Sequence, residues 1–215
     1  VDAMFLSEAG EWFSKSFEKS PASTQVALCD YENKPIKSVW YYCTNYRINL
    51  FADEKGVRIR DMFVYDENYK ARYGNEIILT THDAIHDNLP VMNGLKWTKY
   101  PHYAGIYFCD ENGRRISIKD FDYMEKDGTA IAKMVYEKGK IEVVLKENCI
   151  VVESEQGFAL EYNYVSLLED EKIVVKNDRT VCFTKRGFEY QIVFINGYIS
   201  GTKIYSENGK IQIAF

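Results

Sequence analysis

The sequence lacks most of the motifs that announce a chemistry. It contains no G-x-S-x-G elbow, no Gly-rich phosphate loop, no G-x-G-x-x-G and no EF-hand loop, which excludes the classes built on those motifs. No serine is marked as a nucleophile. Segments of helical periodicity are almost absent, so folds that need parallel βαβ units are disfavoured. No apolar run approaches the roughly 20 residues that a membrane-spanning helix requires. There is no excess of basic charge either. The net charge is -5, and the longest basic clusters are pairs such as Arg114-Arg115 and Lys185-Arg186 with acids nearby. Neither nucleic acid nor an anionic membrane surface is therefore an expected partner. No cofactor is expected.

Cysteine is sparse and unpatterned. The five residues, Cys29, Cys43, Cys109, Cys149 and Cys182, are widely spaced, odd in number and form no C-x-x-C. Four sit in β-like surroundings, as in Tyr-Phe-Cys109 and Val-Cys182-Phe. A free cysteine behaves as a small buried hydrophobe. Reduced core thiols and a cytoplasmic location are the expectation, with export the alternative if a signal peptide has been removed from ahead of Val1.

What is present is β structure. Hydrophobic residues make up 46% and charged residues 27% of the 215, ordinary globular values that argue against disorder. Four Asn-Gly pairs occur, at Asn93-Gly94, Asn112-Gly113, Asn196-Gly197 and Asn208-Gly209. Both residue types tolerate the positive φ of a type I′ turn, so such a pair between alternating runs is a strong hairpin signal. Val57-Arg58-Ile59-Arg60, Ile116-Ser117-Ile118-Lys119 and Ile211-Gln212-Ile213 alternate cleanly, which means one buried face and one wet face. Strands are expected at 24–30, 36–43, 46–52, 57–65, 69–73 and 76–81, and at 103–109, 114–119, 129–137, 140–146, 149–154, 158–163, 172–176, 179–184, 188–195, 198–205 and 210–215. The predicted fold is all-β: a many-stranded antiparallel two-sheet sandwich, supersandwich-like in scale, with a short N-terminal helix. The helix and a linker take residues 1–22 and the sandwich takes 23–215. The alternative is two β domains split near 82–102.

The helix rests on Phe5, Ala9, Trp12, Phe13 and Phe17, which recur at close to 3.6-residue spacing. It is expected to cover one end or face of a sheet. The alternative role is to dock a partner or an upstream domain. Residues 81–101 form the least regular stretch, holding Pro90, Pro101, one Asn-Gly pair and two of the three histidines. A connection that long in a compact domain is usually functional, although Met92, Leu95 and Trp97 are expected to pack.

Candidate site residues follow from three clusters. His82 and His86 share a face if their stretch forms a helical turn. With Asp87 they could ligate a divalent ion, and His102 could supply a third ligand. The glutamate of H-E-x-x-H is missing, so a metalloprotease is excluded, and a polar turn without metal is the preferred expectation. Second, His102 lies among Trp97, Tyr100 and Tyr103, a composition suited to a ligand rim or to a packed loop anchor. Third, alternation in Val39-Trp40-Tyr41-Tyr42-Cys43 sends Trp40 and Tyr42 to one face, where aromatic rings can stack on sugar C–H faces. Glu153 and Glu155 share a strand face and are the weakest candidates for catalysis.

The expected function is a non-catalytic module that binds carbohydrate, or another small polar ligand, or that assists a sugar-processing enzyme. Its ligand-binding residues would be Trp97, Tyr100, His102, Tyr103, Trp40 and Tyr42. A sugar-active enzyme (hydrolase, lyase or epimerase) using His82, His86 or His102 with a strand carboxylate is one alternative. An assembly domain docking through the N-terminal helix is the other.

Overall fold

The computed structural model describes residues 4–30, 32, 34–70 and 88–215. Among them one helix, α1 (Leu6–Ser16), precedes two antiparallel sheets. The larger has nine strands. It runs in the order β1 (Ser23–Ala27), β2 (Lys37–Tyr42), β3 (Tyr46–Asp53), β4 (Gly56–Val64), β6 (Gly105–Asp110), β11 (Phe158–Asn163), β16 (Lys203–Tyr205) and β15 (Tyr198–Ser200). The ninth, β5 (Leu89–Asn93), pairs with the second half of β4. The smaller sheet has eight strands, in the order β12 (Glu171–Asn177), β13 (Thr180–Lys185), β14 (Phe188–Asn196), β17 (Lys210–Ala214), β10 (Cys149–Ser154), β9 (Gly139–Lys146), β8 (Thr129–Tyr136) and β7 (Asp122–Lys126). The expected all-β two-sheet sandwich is what the chain forms.

Alternation builds the interior. Ile141, Val143 and Leu145 of β9, Ile150 and Val152 of β10, and Ile211 and Ile213 of β17 all point inward and are buried. Opposite them lie Ile48 and Leu50 of β3, Ile59 of β4, and Phe158 and Leu160 of β11. One cluster of buried side chains joins the two sets. Burial of apolar area on this scale is the main favourable contribution to folding.

The turns use more than Asn-Gly. Asn208 and Gly209 both adopt positive φ, 53° and 71°, between Ser206 and β17. Asp127-Gly128 and Arg186-Gly187 show the same paired values at the β7–β8 and β13–β14 hairpins. Gly94 of Asn93-Gly94 has no positive φ, and there the glycine is demanded by crowding alone. A Cβ on Gly94 would stand 2.4 Å from the Arg60 carbonyl oxygen.

Four sequence expectations change. Residues 114–119 alternate but form no strand; they meet β6 through the Cys109–Arg115 bridge, the Ile116 N–H to the Phe108 carbonyl and the Asp110 N–H to the Arg114 carbonyl. β6 is already flanked by β4 and β11, so little free edge remains. Second, Leu89–Asn93 is a fully buried strand rather than part of an irregular connection. Pro90 is tolerated because β5 lies outside the main strand path and its pairing is broken by a bulge at Met62/Phe63. β7 was likewise not anticipated, because Asp122–Lys126 is a polar edge strand with little alternation. Third, of the expected strands 69–73 and 76–81, Tyr69 and Lys70 are not in a strand, and the remainder lies outside the described residues. Fourth, α1 covers no sheet. None of its residues is buried, and Phe13 and Phe17 pack on each other at 4.8 Å between ring centroids. Leu6 and Trp12 are left exposed.

Candidate functional site: an aromatic and arginine cleft

The outer face of the larger sheet carries an unusual set of side chains. Strand β2 sends Val39 and Tyr41 into the core and Trp40 and Tyr42 outward. The outward rings stack with centroids 5.8 Å apart and planes 19° from parallel. On β3, opposite them, Arg47 pairs with Tyr42 and Asn49 with Trp40. On β4 the alternation Val57-Arg58-Ile59-Arg60 places both arginines on this same outer face. A bulge between Asn49 and Leu50 of β3 then shifts the register.

Guanidinium groups interleave with rings across the face. Arg47 lies 4.3 Å from the Phe63 centroid and 5.7 Å from that of Trp40. Arg60 lies 4.2 Å from Phe51 and 5.9 Å from Trp40, and Arg58 lies 5.1 Å from Phe51. Such contacts each contribute about 0.5–1 kcal/mol at exposed sites and more when shielded. They also hold long side chains in fixed positions.

Carboxylates complete the arrangement. Arg58, only 4% exposed, donates through both terminal nitrogens to the two Asp53 oxygens at 3.0 Å. Among the described residues its Nε is buried without a hydrogen-bond partner, as is Asn49 Oδ1. Burial pushes the Asp53 carboxyl up, but the two bonds and the charge of Arg58, with the Lys55 N–H, outweigh it. The net shift is below the usual range. Asp61 accepts from Arg60 Nε and from the Gly94 N–H, both at 3.0 Å.

These groups line a cleft of about 630 Å³, bounded by Trp40, Tyr42, Arg60, Asp61, Asn93 and Tyr103 among others. The volume falls within the range of about 300–1,000 Å³ typical of small-molecule sites. The segment after β5 forms one wall. Asn93 Oδ1 accepts from the Lys96 N–H at 3.0 Å, Thr98 Oγ1 donates to the Gly94 carbonyl, and the same oxygen accepts from the Ala104 N–H at 2.9 Å. Lys55 Nζ sits 3.5 Å from the Tyr103 centroid. The wall is thus stitched to the sheet by hydrogen bonds.

The structure brings Trp40, Tyr42 and Tyr103 together in this cleft. Tyr100 is 82% exposed beside Tyr103, ring to ring at 6.4 Å. His102 is exposed and exchanges backbone hydrogen bonds with Lys99. Trp97 does not belong to the rim. It is 1% exposed, and its Nε1 donates to Glu171 at 2.7 Å, because the ring closes the core beneath the loop. Leu95, expected to pack, is 74% exposed. His82, His86 and Asp87 lie outside the described residues, and among the described residues no group of three or more His, Cys, Asp or Glu could hold a metal. Glu153 and Glu155 are engaged separately, with Lys210 at 3.1 Å and Lys140 at 3.5 Å.

Sequence reasoning missed Arg47, Arg58, Arg60, Asp61 and Asn93. A signal existed for two of them. The alternation at 57–60 already assigns Arg58 and Arg60 to a wet face, but only the pairing of β2, β3 and β4 makes it the face of Trp40. No protein-family model matches the chain, and no curated protein matches it.

Proposed function

We propose that the protein is a non-catalytic sandwich module that binds carbohydrate in the Trp40–Tyr42 cleft. The observation that carries this reading is the stacked ring pair at 5.8 Å on a rigid strand, with fixed polar groups at its edge. Aromatic faces pack against the apolar C–H faces of sugar rings. Arg60, Asp61 and Asn93 supply donors and acceptors for ring hydroxyls, positioned beforehand by their own hydrogen bonds. Preorganisation of this kind lowers the entropy cost of binding. Arg47, Arg58 and Arg60 line the cleft, with Arg58 held by Asp53 and Arg60 by Asp61. Guanidinium groups match the geometry of carboxylate and sulfate, which favours a sugar carrying one of these. A role beside a sugar-processing enzyme is consistent with such a module, which would hold its partner on a polymer.

The test is titration calorimetry against neutral and uronate oligosaccharides. Trp40→Ala is expected to weaken binding at least about tenfold, since stacked aromatics dominate such contacts. Arg60→Ala should weaken uronates more than neutral sugars. Prolonged incubation should leave the sugar chemically intact. Binding unaffected by Trp40→Ala and Tyr42→Ala, or no binding to any sugar, would sink the reading.

A further inference from the structure

The interior of the sandwich is not filled to the end. A cavity of about 140 Å³ lies between the sheets. Its body is lined by Ile48, Met62, Val91, Phe183, Ile192 and Phe194, contributed by both sheets. The space is close in size to an engineered cavity of about 150 Å³ known to bind benzene. The side chains around it forgo dispersion contacts that a guest would restore.

The cavity reaches the surface where the sheets are open. β12 ends the smaller sheet and β15 ends the larger one, and the turn that follows β12 touches β15, the Ile199 N–H donating to the Asp178 carbonyl at 2.6 Å. Ile173 and Val175 of β12 line the cavity from one edge, Ile199 with the Gly201–Thr202 turn from the other. Val175 is 51% exposed, Gly201 and Thr202 are exposed, and nothing stands within 4 Å of where a Gly201 Cβ would be. A guest therefore has an entrance.

Among the described lining residues, one buried side-chain polar atom lacks a partner. Tyr162 lines the cavity, and its hydroxyl oxygen is buried with no hydrogen-bond partner among the described residues. Buried hydroxyls are nearly always paired, because a lone one forfeits its bonds to water. Burial also pushes the Tyr162 phenol well above its ordinary value, with the neighbouring Tyr190, Tyr164 and Glu171 adding to the shift. It is therefore a neutral O–H that can donate.

We infer that the cavity between the sheets is a second binding site, independent of the outer cleft, for an apolar ligand of six-carbon scale carrying one oxygen that accepts from the Tyr162 hydroxyl. Such a group could belong to a free small molecule or to the end of a longer hydrocarbon chain that leaves between β12 and β15.

The probes are phenol, benzene, hexan-1-ol and decan-1-ol, each titrated into the whole protein and followed by NMR chemical shifts and by melting temperature. Saturable binding of phenol and hexan-1-ol is expected, with a rise in melting temperature. Tyr162→Phe, which keeps the volume, should weaken phenol about fivefold and leave benzene within about twofold, the effect of one hydrogen bond. Val181→Phe, at the half-buried lining position of β13, should fill the space and abolish binding of both. If that variant does not fold, Ile173→Phe at the mouth takes its place. Decan-1-ol binding more tightly than hexan-1-ol identifies a chain that runs out through the mouth, and equal affinities identify a compact guest. The inference is overturned if no probe binds saturably, if the filling variants bind as the wild type does, or if Tyr162→Phe leaves phenol unchanged.

Discussion

Glu171 and Lys185 meet at 2.9 Å where water barely reaches, with side chains 2% and 3% exposed. The carboxylate also accepts from Trp97 Nε1 at 2.7 Å and from the Leu168 N–H at 3.2 Å. Removing one member leaves an uncompensated buried charge, which costs about 3–5 kcal/mol. Lys185→Met should lose stability of that order in urea unfolding. Adding Glu171→Gln should restore part of it, because the amide oxygen still accepts from Trp97. Asp53 gives a pH dependence. Its folded value lies below the unfolded one, so the unfolded chain binds more protons as the pH falls. The stability contributed by the Arg58 pair is complete above the unfolded carboxylate value of about 3.9 and is lost as pH drops through the folded one. Wild type should therefore lose more stability than Asp53→Asn on acidification below about pH 5. A crossing in the other direction would refute the assignment. Thiols differ by position. Cys29 is exposed, whereas burial pushes the Cys109 thiol up to about 11, with the Glu161 charge adding to it, and also raises Cys43. A thiolate-specific reagent at pH 8 should label Cys29 in the native state and reach Cys43 and Cys109 only after denaturation. The odd, unpatterned set of cysteines in the sequence already indicated unpaired thiols. Their different reactivity was not legible, because it depends on neighbours remote in the chain.

Elements are legible in proportion to how local their cause is. Helix α1 announces itself by its spacing, and the alternating strands β4, β9 and β17 by their period of two. The sequence does not reveal what α1 packs against, because an apolar stripe is the same whether or not something covers it. With no residue of α1 buried, deletion of residues 1–19 should leave the melting temperature of the sandwich nearly unchanged. A loss of several degrees would mean that the helix is part of the core. Pro90 hides strand β5 in the sequence, and the clean alternation of residues 114–119 mimics a strand that does not form. In both cases the deciding fact is whether a sheet edge stands free, and that belongs to the neighbouring strands. The cleft shows the same division. Trp40 and Tyr42 were legible as one face of a strand, and Tyr103 as part of an aromatic loop cluster. The arginines beside them became part of the site only through the register of β2, β3 and β4.

For the whole molecule, the continuous core that joins both sheets predicts a single cooperative unfolding transition. Scanning calorimetry should give a calorimetric enthalpy equal to the van't Hoff enthalpy. Two resolved transitions would favour a division near residues 82–102. No helix among the described residues is long and apolar enough to cross a membrane. The sequence by itself determined the fold class, the helix, most strands, and the two-faced character of the alternating ones. These are consequences of side-chain period and turn chemistry, which act within a few residues. Only the tertiary structure decided the strand order, the free edges, the meeting of Trp40 with Arg47 and Arg60, and the unfilled space beside Tyr162. Backbone ladders are chemically alike from strand to strand, so a strand's own residues do not name its partner. That choice is made by the packing of all the strands at once, and both the outer cleft and the inner cavity are products of it.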